Sequence, residues 1–265
     1  MPSNATAAAP AEATPLIDAR GVSQVFPGGV TALADLDISV GRGEFVAIVG
    51  PSGCGKSTFL RQVAGLETPT GGALTVGRQA PLLARRQNQD TAYVFQDATL
   101  LPWRTVEQNV ALPLQLRPDG KGTLSVDEAL DLVGLNPFAG AYPNQLSGGM
   151  RMRVSIARAL VSRPGLLLMD EPFGALDEMT RQRLNEELLR LWERDRWTCL
   201  FVTHNVAEAV FLSQRVLVMS PRPGRILAEF PVDIGAERTP ELRTSAAFNE
   251  LVGKVTRHLH HDEAQ

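Results

Sequence analysis

The chain has 265 residues, 44% of them hydrophobic, and balances 26 Lys and Arg against 29 Asp and Glu for a net charge of −3. That length can bury the core of one α/β domain carrying a subdomain, and the charge balance offers no field to attract nucleic acid. Two cysteines, Cys54 and Cys199, suit a reducing compartment, and no apolar run has the length of a membrane span, so the unassisted chain is expected in the cytoplasm.

Met1 to Pro15 is mostly Ala, Pro, Thr and Ser, without the basic start and apolar stretch of a signal peptide. A disordered tail is expected there, with structure from Leu16. Ile17 to Phe26 and Ala32 to Val40 read as strands divided by the turn signal Pro27-Gly28-Gly29. Phe26 is either core or an aromatic that stacks on a purine ring.

Phe45 to Val49 reads as a buried strand, and Phe59 to Leu66 has helical spacing. Between them lies Gly50-Pro51-Ser52-Gly53-Cys54-Gly55-Lys56-Ser57-Thr58. Strand, glycine-rich turn, then helix is the context in which G-x-x-x-x-G-K-[ST] binds phosphate. Consecutive loop N–H groups point at the anion, and the helix N-terminus adds partial positive charge. Lys56 is placed to meet the β and γ phosphates of a nucleotide, and the Ser57 hydroxyl to ligate Mg²⁺. Cys54 sits inside this loop, where a thiol reagent is expected to reach it.

Further on, Ala73 to Val76 is a short strand, and Leu82-Leu83-Ala84-Arg85-Arg86 a small basic patch on a solvated face. Thr91 to Phe95 is a strand that delivers Gln96 at its end, where an amide can reach a metal or a water. From Asp97 to about Ala157, Pro102, Pro113, Pro118, Pro137 and Pro143 interrupt helical pieces such as Val106 to Val110 and Val126 to Val133. This reads as an inserted helical subdomain. Leu100-Leu101-Pro102-Trp103 is either a buried satellite cluster or a docking site for another protein. Leu146-Ser147-Gly148-Gly149-Met150 precedes a helix, Arg151 to Leu160, with Ser147 a candidate N-cap at a second anion-binding helix start.

Gly165 to Met169 is a buried strand ending in Asp170-Glu171. Asp170 can hold Mg²⁺, and Glu171 can orient or deprotonate the water that attacks a γ-phosphate. Phe173 to Asp177 turns into an amphipathic helix, Glu178 to Asp195. Thr198 to Thr203 is the next strand and ends in His204, placed to hydrogen-bond a γ-phosphate. Val206 to Phe211 reads as helix, Arg215 to Ser220 and Arg225 to Phe230 as a hairpin around Pro221-Arg222-Pro223-Gly224, and Pro240 to Leu259 as a last helical stretch. His258, His260 and His261 read as a polar tail.

In this order, residues 16–230 resemble the nucleotide-binding subunit of ATP-binding cassette (ABC) transporters. The phosphate loop is similar to the family's Walker A, Leu167 to Glu171 to its Walker B and catalytic glutamate, Gln96 to its Q-loop and His204 to its switch histidine. Leu146 to Met150 resembles the signature sequence, with Met150 where Gln is commonest. Gly174 to Asp177 resembles the D-loop, with Gly174 where Ser is frequent, and Phe26 the aromatic that stacks on adenine. The resemblance implies an α/β fold: a P-loop NTPase (RecA-like) core with an N-terminal antiparallel β subdomain and an inserted α-helical subdomain. It places the ATPase domain at 16–235, with the helical subdomain at about 97–157 and a C-terminal helical extension and tail at 236–265.

It also implies ATP and Mg²⁺ as cofactors, and a second ATP-binding subunit, another copy of the chain, such that two subunits sandwich two ATP molecules. Ser147, Gly148, Gly149 and Asp177 then serve the partner's nucleotide. A membrane permease on the helical subdomain and a periplasmic or extracellular solute-binding protein complete the implied complex, with this subunit peripheral on the cytoplasmic side of the membrane. Leu-Leu-Pro-Trp-Arg at 100–104, the Gly-Ala-Leu-Asp turn and Ser-Pro-Arg-Pro-Gly-Arg at 220–225 resemble the nitrate/sulfonate/taurine importer subfamily, whose relatives also carry pyrimidine precursors. The alternatives are an exporter ATPase and a soluble ABC ATPase of translation or DNA repair; a single cassette without a heptad run stands against the second.

Overall fold

In the predicted central strands the side chains alternate between two separate apolar cores, which makes them the middle of a sheet covered on both faces. Phe45, Ala47, Val49, Leu167, Met169, Cys199 and Phe201 enter one core, and Val46, Ile48, Leu166, Leu168, Leu200 and Val202 the other. The computed structural model of the chain describes residues 14–87, 90–116, 124–235 and 238–261. All but Thr14 and Pro15 of the expected tail lies outside these residues, as do the side chains of His260 and His261.

Strands β1 (Ile17–Val25) and β2 (Thr31–Val40) precede β3 (Phe45–Val49), which leads through the phosphate loop into helix α1 (Lys56–Val63). Then come β4 (Gly71–Val76), α2 (Pro81–Gln87) and β5 (Thr91–Val94). The following stretch is helical, with α3 (Val106–Val110), α4 (Leu112–Leu116), α5 (Val126–Leu132) and α6 (Gly148–Leu160). The chain returns to the sheet with β6 (Leu166–Asp170), α7 (Glu178–Asp195), β7 (Thr198–Val202) and α8 (Val206–Leu212). It closes with β8 (Arg215–Met219), β9 (Ile226–Pro231) and α9 (Ala246–His261).

β2, β1 and β4 form an antiparallel three-stranded sheet in that order. The large sheet runs β5-β6-β7-β3-β8-β9, parallel except for β9. This is the expected α/β architecture, with an antiparallel β part at the N-terminus and helices inserted between β5 and β6. The small sheet and α1 cover one face of the large sheet; α7, α8 and the inserted helices cover the other.

One local reading gains a helix and two change. The run at 82–86 belongs to α2, which begins at Pro81; Pro81 and Ala84 pack inward, so the solvated basic patch is the outer side of a helix. α6 starts at Gly148 rather than Arg151, because the Ser147 hydroxyl accepts the Met150 N–H at 3.2 Å and caps the helix directly behind itself. The last helical stretch is broken: a 3₁₀ turn at Pro240–Thr244 ends at extended Ser245, whose hydroxyl accepts the Phe248 N–H and restarts the chain as α9.

The turn between β8 and β9 is packed against the phosphate loop. Gly224 donates to Ala32 O at 2.9 Å and accepts from Ala34 N–H at 3.1 Å, which ties the turn to β2. A Cβ on Gly224 would stand 2.1 Å from Cys54 O, a backbone atom that cannot swing aside. Gly224→Ala is therefore expected to destabilise the fold by roughly 1–3 kcal/mol, the range of overpacked sites. Urea unfolding reads this as a lower midpoint; an unchanged midpoint would show that the turn does not rest on the loop.

Candidate functional site

Three segments end at one rim of the large sheet, beyond the C-termini of its parallel strands. Asp170 pairs in register with Val202, Glu171 N–H reaches Val202 O at 2.9 Å, and Thr203 N–H reaches Ile48 O at 3.2 Å. These bonds bring the loop after β3, the pair Asp170-Glu171 and the turn Thr203-His204 to one level. The loop after β3 and Glu171 line a cavity of about 490 Å³. Ser52, Gly53, Gly55, Lys56, Ser57 and Thr58 make its floor, Gln96 and Glu171 one side, and Phe26, Val30 and Ala32 another. Phe26 is thus a half-buried wall of this cavity and not part of the core.

The loop is shaped to receive an anion. Gly55 has φ +108°, and a Cβ there would lie 2.6 Å from the Leu33 side chain and 2.9 Å from Ala32 O, so only glycine fits. It stands at the N-cap of α1, where no side chain caps the helix and no acidic residue occupies the first turn. The first N–H groups of α1 are left to a ligand. Lys56 is buried, and its ammonium donates to Gly50 O at 2.8 Å and Pro51 O at 2.9 Å. Gly50 and Pro51 act through these carbonyls rather than as walls.

Asp170 is 3% exposed and each of its oxygens is engaged. Oδ1 accepts the Ser57 hydroxyl at 2.9 Å, and Oδ2 accepts the Tyr93 hydroxyl at 3.3 Å. Burial pushes this carboxyl above its usual range, and the two hydroxyl donors oppose that rise. Since Ser57 gives its proton to Asp170, its oxygen lone pairs remain free to coordinate. A hydroxyl oxygen and a buried carboxylate form the hard donor set that suits Mg²⁺.

Beside them, Glu171 Oε2 lies 3.2 Å from His204 Nδ1. Glu171 has φ +48°, a left-handed conformation costing a non-glycine residue on the order of 1–3 kcal/mol. Its carbonyl accepts the Gly174 N–H at 3.2 Å, which helps to hold that conformation. The turn that carries His204 is tied to α7: Thr203 Oγ1 donates to buried Glu208 at 2.8 Å, and Glu208 pairs with Arg181 at 3.3 Å. Arg181 also donates to Leu176 O at 2.9 Å, so the turn before α7 and the turn of His204 share one network.

Within one chain, Ser147, Gly148, Gly149 and Asp177 are absent from the cavity wall. Asp177 accepts the Thr180 N–H and caps α7, as Ser147 caps α6. The two caps are neighbours: a Cβ on Gly149 would lie 3.1 Å from the Leu176 side chain and 3.3 Å from Ala175 O. Ser147 and Gly148 face solvent.

Two residues at the site went unread in the sequence. Tyr93 was only one apolar position in a strand. Arg222, quoted above within a turn, lines the cavity and brings Nε and Nη2 within 3.2 Å of Gly53 O. In the helical stretch, buried Asn109 accepts Leu101 N–H and donates to the carbonyls of Leu101, Arg104 and Thr105. That network fixes the turn and leaves Trp103 71% exposed, so Trp103 is not part of a buried satellite cluster.

A family model described as ABC transporter matches residues 33–174. The chain is 47% identical over 220 residues to the nitrate import ATP-binding protein NrtD of Synechocystis sp., covering 82% of each chain. It is 51% identical over 232 residues to the aliphatic sulfonates import ATP-binding protein SsuB of Burkholderia thailandensis, covering 86% of this chain and 64% of that one. Its fold matches a solved dimeric structure of a post-hydrolysis state of the ATP-binding cassette MJ0796 bound to ADP and Pi. That match has a TM-score of 0.73 and 32% identity, over 82% of this chain and 98% of the other.

The structure corrects the expected reactivity of Cys54. Its thiol is 1% exposed and packs among the apolar residues beneath the loop. Cys199 is fully buried in β7, and burial pushes its thiol well above the usual range. Both cysteines are expected to react slowly with 5,5′-dithiobis(2-nitrobenzoate) in the native protein, with or without nucleotide, and rapidly in urea. Fast native labelling of Cys54 that MgATP blocks would contradict this orientation.

Proposed function

The chain belongs to the ABC transporter family, whose ATP-binding domain hydrolyses ATP, and from that premise we propose that it powers an importer of a small solute. The observation that carries the catalytic reading is the pair of contacts Ser57–Asp170 and Glu171–His204, whose members Ser57 and Glu171 line one cavity. The nitrate- and sulfonate-import names of its relatives favour a solute of that kind, with a pyrimidine precursor the alternative.

In this reading Phe26 stacks on the adenine, and the amides from Gly53 to Thr58 receive the phosphates with Lys56. Lys56 leaves the carbonyls of Gly50 and Pro51 for a phosphate oxygen. Ser57 and Asp170 would hold Mg²⁺, with Gln96 reaching it from the end of β5. When bound, the ion would neutralise negative charge on the phosphates. Glu171 orients the attacking water and accepts its proton, and His204 holds the Glu171 carboxylate and donates to the γ-phosphate. The strained conformation of Glu171 suits a carboxylate aimed at one place.

Ser147, Gly148, Gly149 and Asp177 serve the nucleotide of a second copy. Their place on a solvent-facing surface, away from their own cavity, supports this, and so does the dimeric state of the MJ0796 cassette. Closure of the pair moves a membrane permease seated on the helical part, where Trp103 is exposed and Phe95, Leu112, Pro113 and Leu116 line an apolar groove. A solute-binding protein outside the membrane delivers the cargo. Among the described residues no helix is long and apolar enough to cross a membrane, and the reading makes this subunit peripheral on the cytoplasmic face. The energy logic is differential binding: ATP favours the closed pair, and hydrolysis releases it.

Glu171→Gln keeps the shape of the side chain and removes the base. Hydrolysis is expected to fall by roughly 10²- to 10⁴-fold, while ATP affinity holds and an ATP-bound dimer accumulates. Phosphate release, ATP titration and light scattering with MgATP measure the three. Near-native hydrolysis by this variant would remove Glu171 from the role of base.

A further inference from the structure

We infer that Tyr93 is a positioning residue for the metal site, fixing the Asp170 carboxylate so that its Ser57-facing oxygen is presented to the cation. The inference rests on the reading above, in which Ser57 and Asp170 hold Mg²⁺. An aspartate at a strand end can rotate about its last side-chain bond and offer either oxygen, or both, to a cation. Here the rotation is blocked from two sides. Oδ1 is held by Ser57 at 2.9 Å and Oδ2 by the Tyr93 hydroxyl at 3.3 Å. The donors come from α1 and β5, which flank the strand of Asp170 in space.

Tyr93 is itself held. β5 pairs with β6 in register, Tyr93 opposite Leu168 and Val94 opposite Met169, so the ring rises beside the strand that ends in Asp170. Phe95 stacks on the ring at 4.1 Å and 29°. The ring packs against the core beneath the phosphate loop. A phenylalanine in this place would pack equally well, so the hydroxyl is the part that acts on Asp170. Charges near it, Arg61 and Glu67, lie on α1 and in the turn that follows it. Partners of this kind, which hold a metal ligand from behind, commonly change metal affinity by roughly 10- to 100-fold when removed.

Tyr93→Phe removes one oxygen atom and keeps the ring. The probe is Mn²⁺ titrated into the full-length protein with ADP and followed by the electron paramagnetic resonance of the free ion. The variant is expected to bind Mn²⁺ about tenfold more weakly, while its ADP affinity in EDTA and its melting temperature in EDTA stay those of the parent. In an Asp170→Asn background the same change should have no further effect on Mn²⁺, since there is no carboxylate left to orient. Unchanged Mn²⁺ affinity, an equal loss of metal-free ADP affinity, a sharp fall in melting temperature, or additivity with Asp170→Asn would each overturn the inference. A parent protein that retains no Mn²⁺ with ADP would overturn the metal reading of Ser57 and Asp170, and this inference with it. Parent binding matched by Tyr93→Phe would overturn this inference alone.

Discussion

A buried carboxylate at the end of β6 sets the terms for the structure around it. Asp170 stands on an apolar strand at the edge of two cores, where an uncompensated charge is costly. The fold answers by bringing two hydroxyls to it from elements distant in sequence, Ser57 from α1 and Tyr93 from β5. Ser57 can reach only because the phosphate loop curls tightly, which Gly55 permits by fitting under Leu33 and Ala32. The same loop rests on the β8–β9 turn, where Gly224 has no room for a side chain. The sheet, the small β part and the last hairpin thus converge on the placement of one oxygen pair.

A second constraint runs along the neighbouring strand ends. The left-handed backbone of Glu171 is secured by Val202 on one side and Gly174 on the other. His204 meets its carboxylate, and the turn of His204 is bound through Glu208 and Arg181 to the turn that starts α7. The surface formed by the starts of α6 and α7 is therefore mechanically joined to the pair Glu171–His204. A partner that pressed on this surface would act on the Glu171 carboxylate, the proposed base, through hydrogen bonds and not through distance alone.

How much of this was legible in the sequence follows from how local each signal is. The phosphate loop, Asp170-Glu171 and His204 each follow a short continuous apolar run, which reads as a buried strand. Parallel strands end at one rim, so their trailing residues meet. The contacts that tune the site were not legible, because they join residues far apart in the chain. Tyr93 and Asp170 are separated by 77 positions and Arg222 and Gly53 by 169. No spacing rule connects them. Cys54 was misread for a related reason: the loop sequence shows that a thiol is present but not that the curl turns it inward. α6 starts three residues before Arg151 because Ser147 caps the helix immediately behind itself, so Gly148 and Gly149 lie in its first turn.

In the proposed mechanism one chain holds only half of a working site, with Lys56 and Glu171 on one half and Ser147 on the other. Complementation tests it most directly. A Ser147→Arg chain keeps an intact phosphate loop and presents a bulky cation to its partner, while a Lys56→Ala chain keeps an intact α6 start and loses phosphate affinity. Each alone should fail to hydrolyse MgATP, and an equimolar mixture should regain hydrolysis and MgATP-dependent dimers, since mixed pairs contain one site built from intact halves. Hydrolysis by Ser147→Arg alone at the parent rate, or a mixture as inactive as its components, would contradict the shared site.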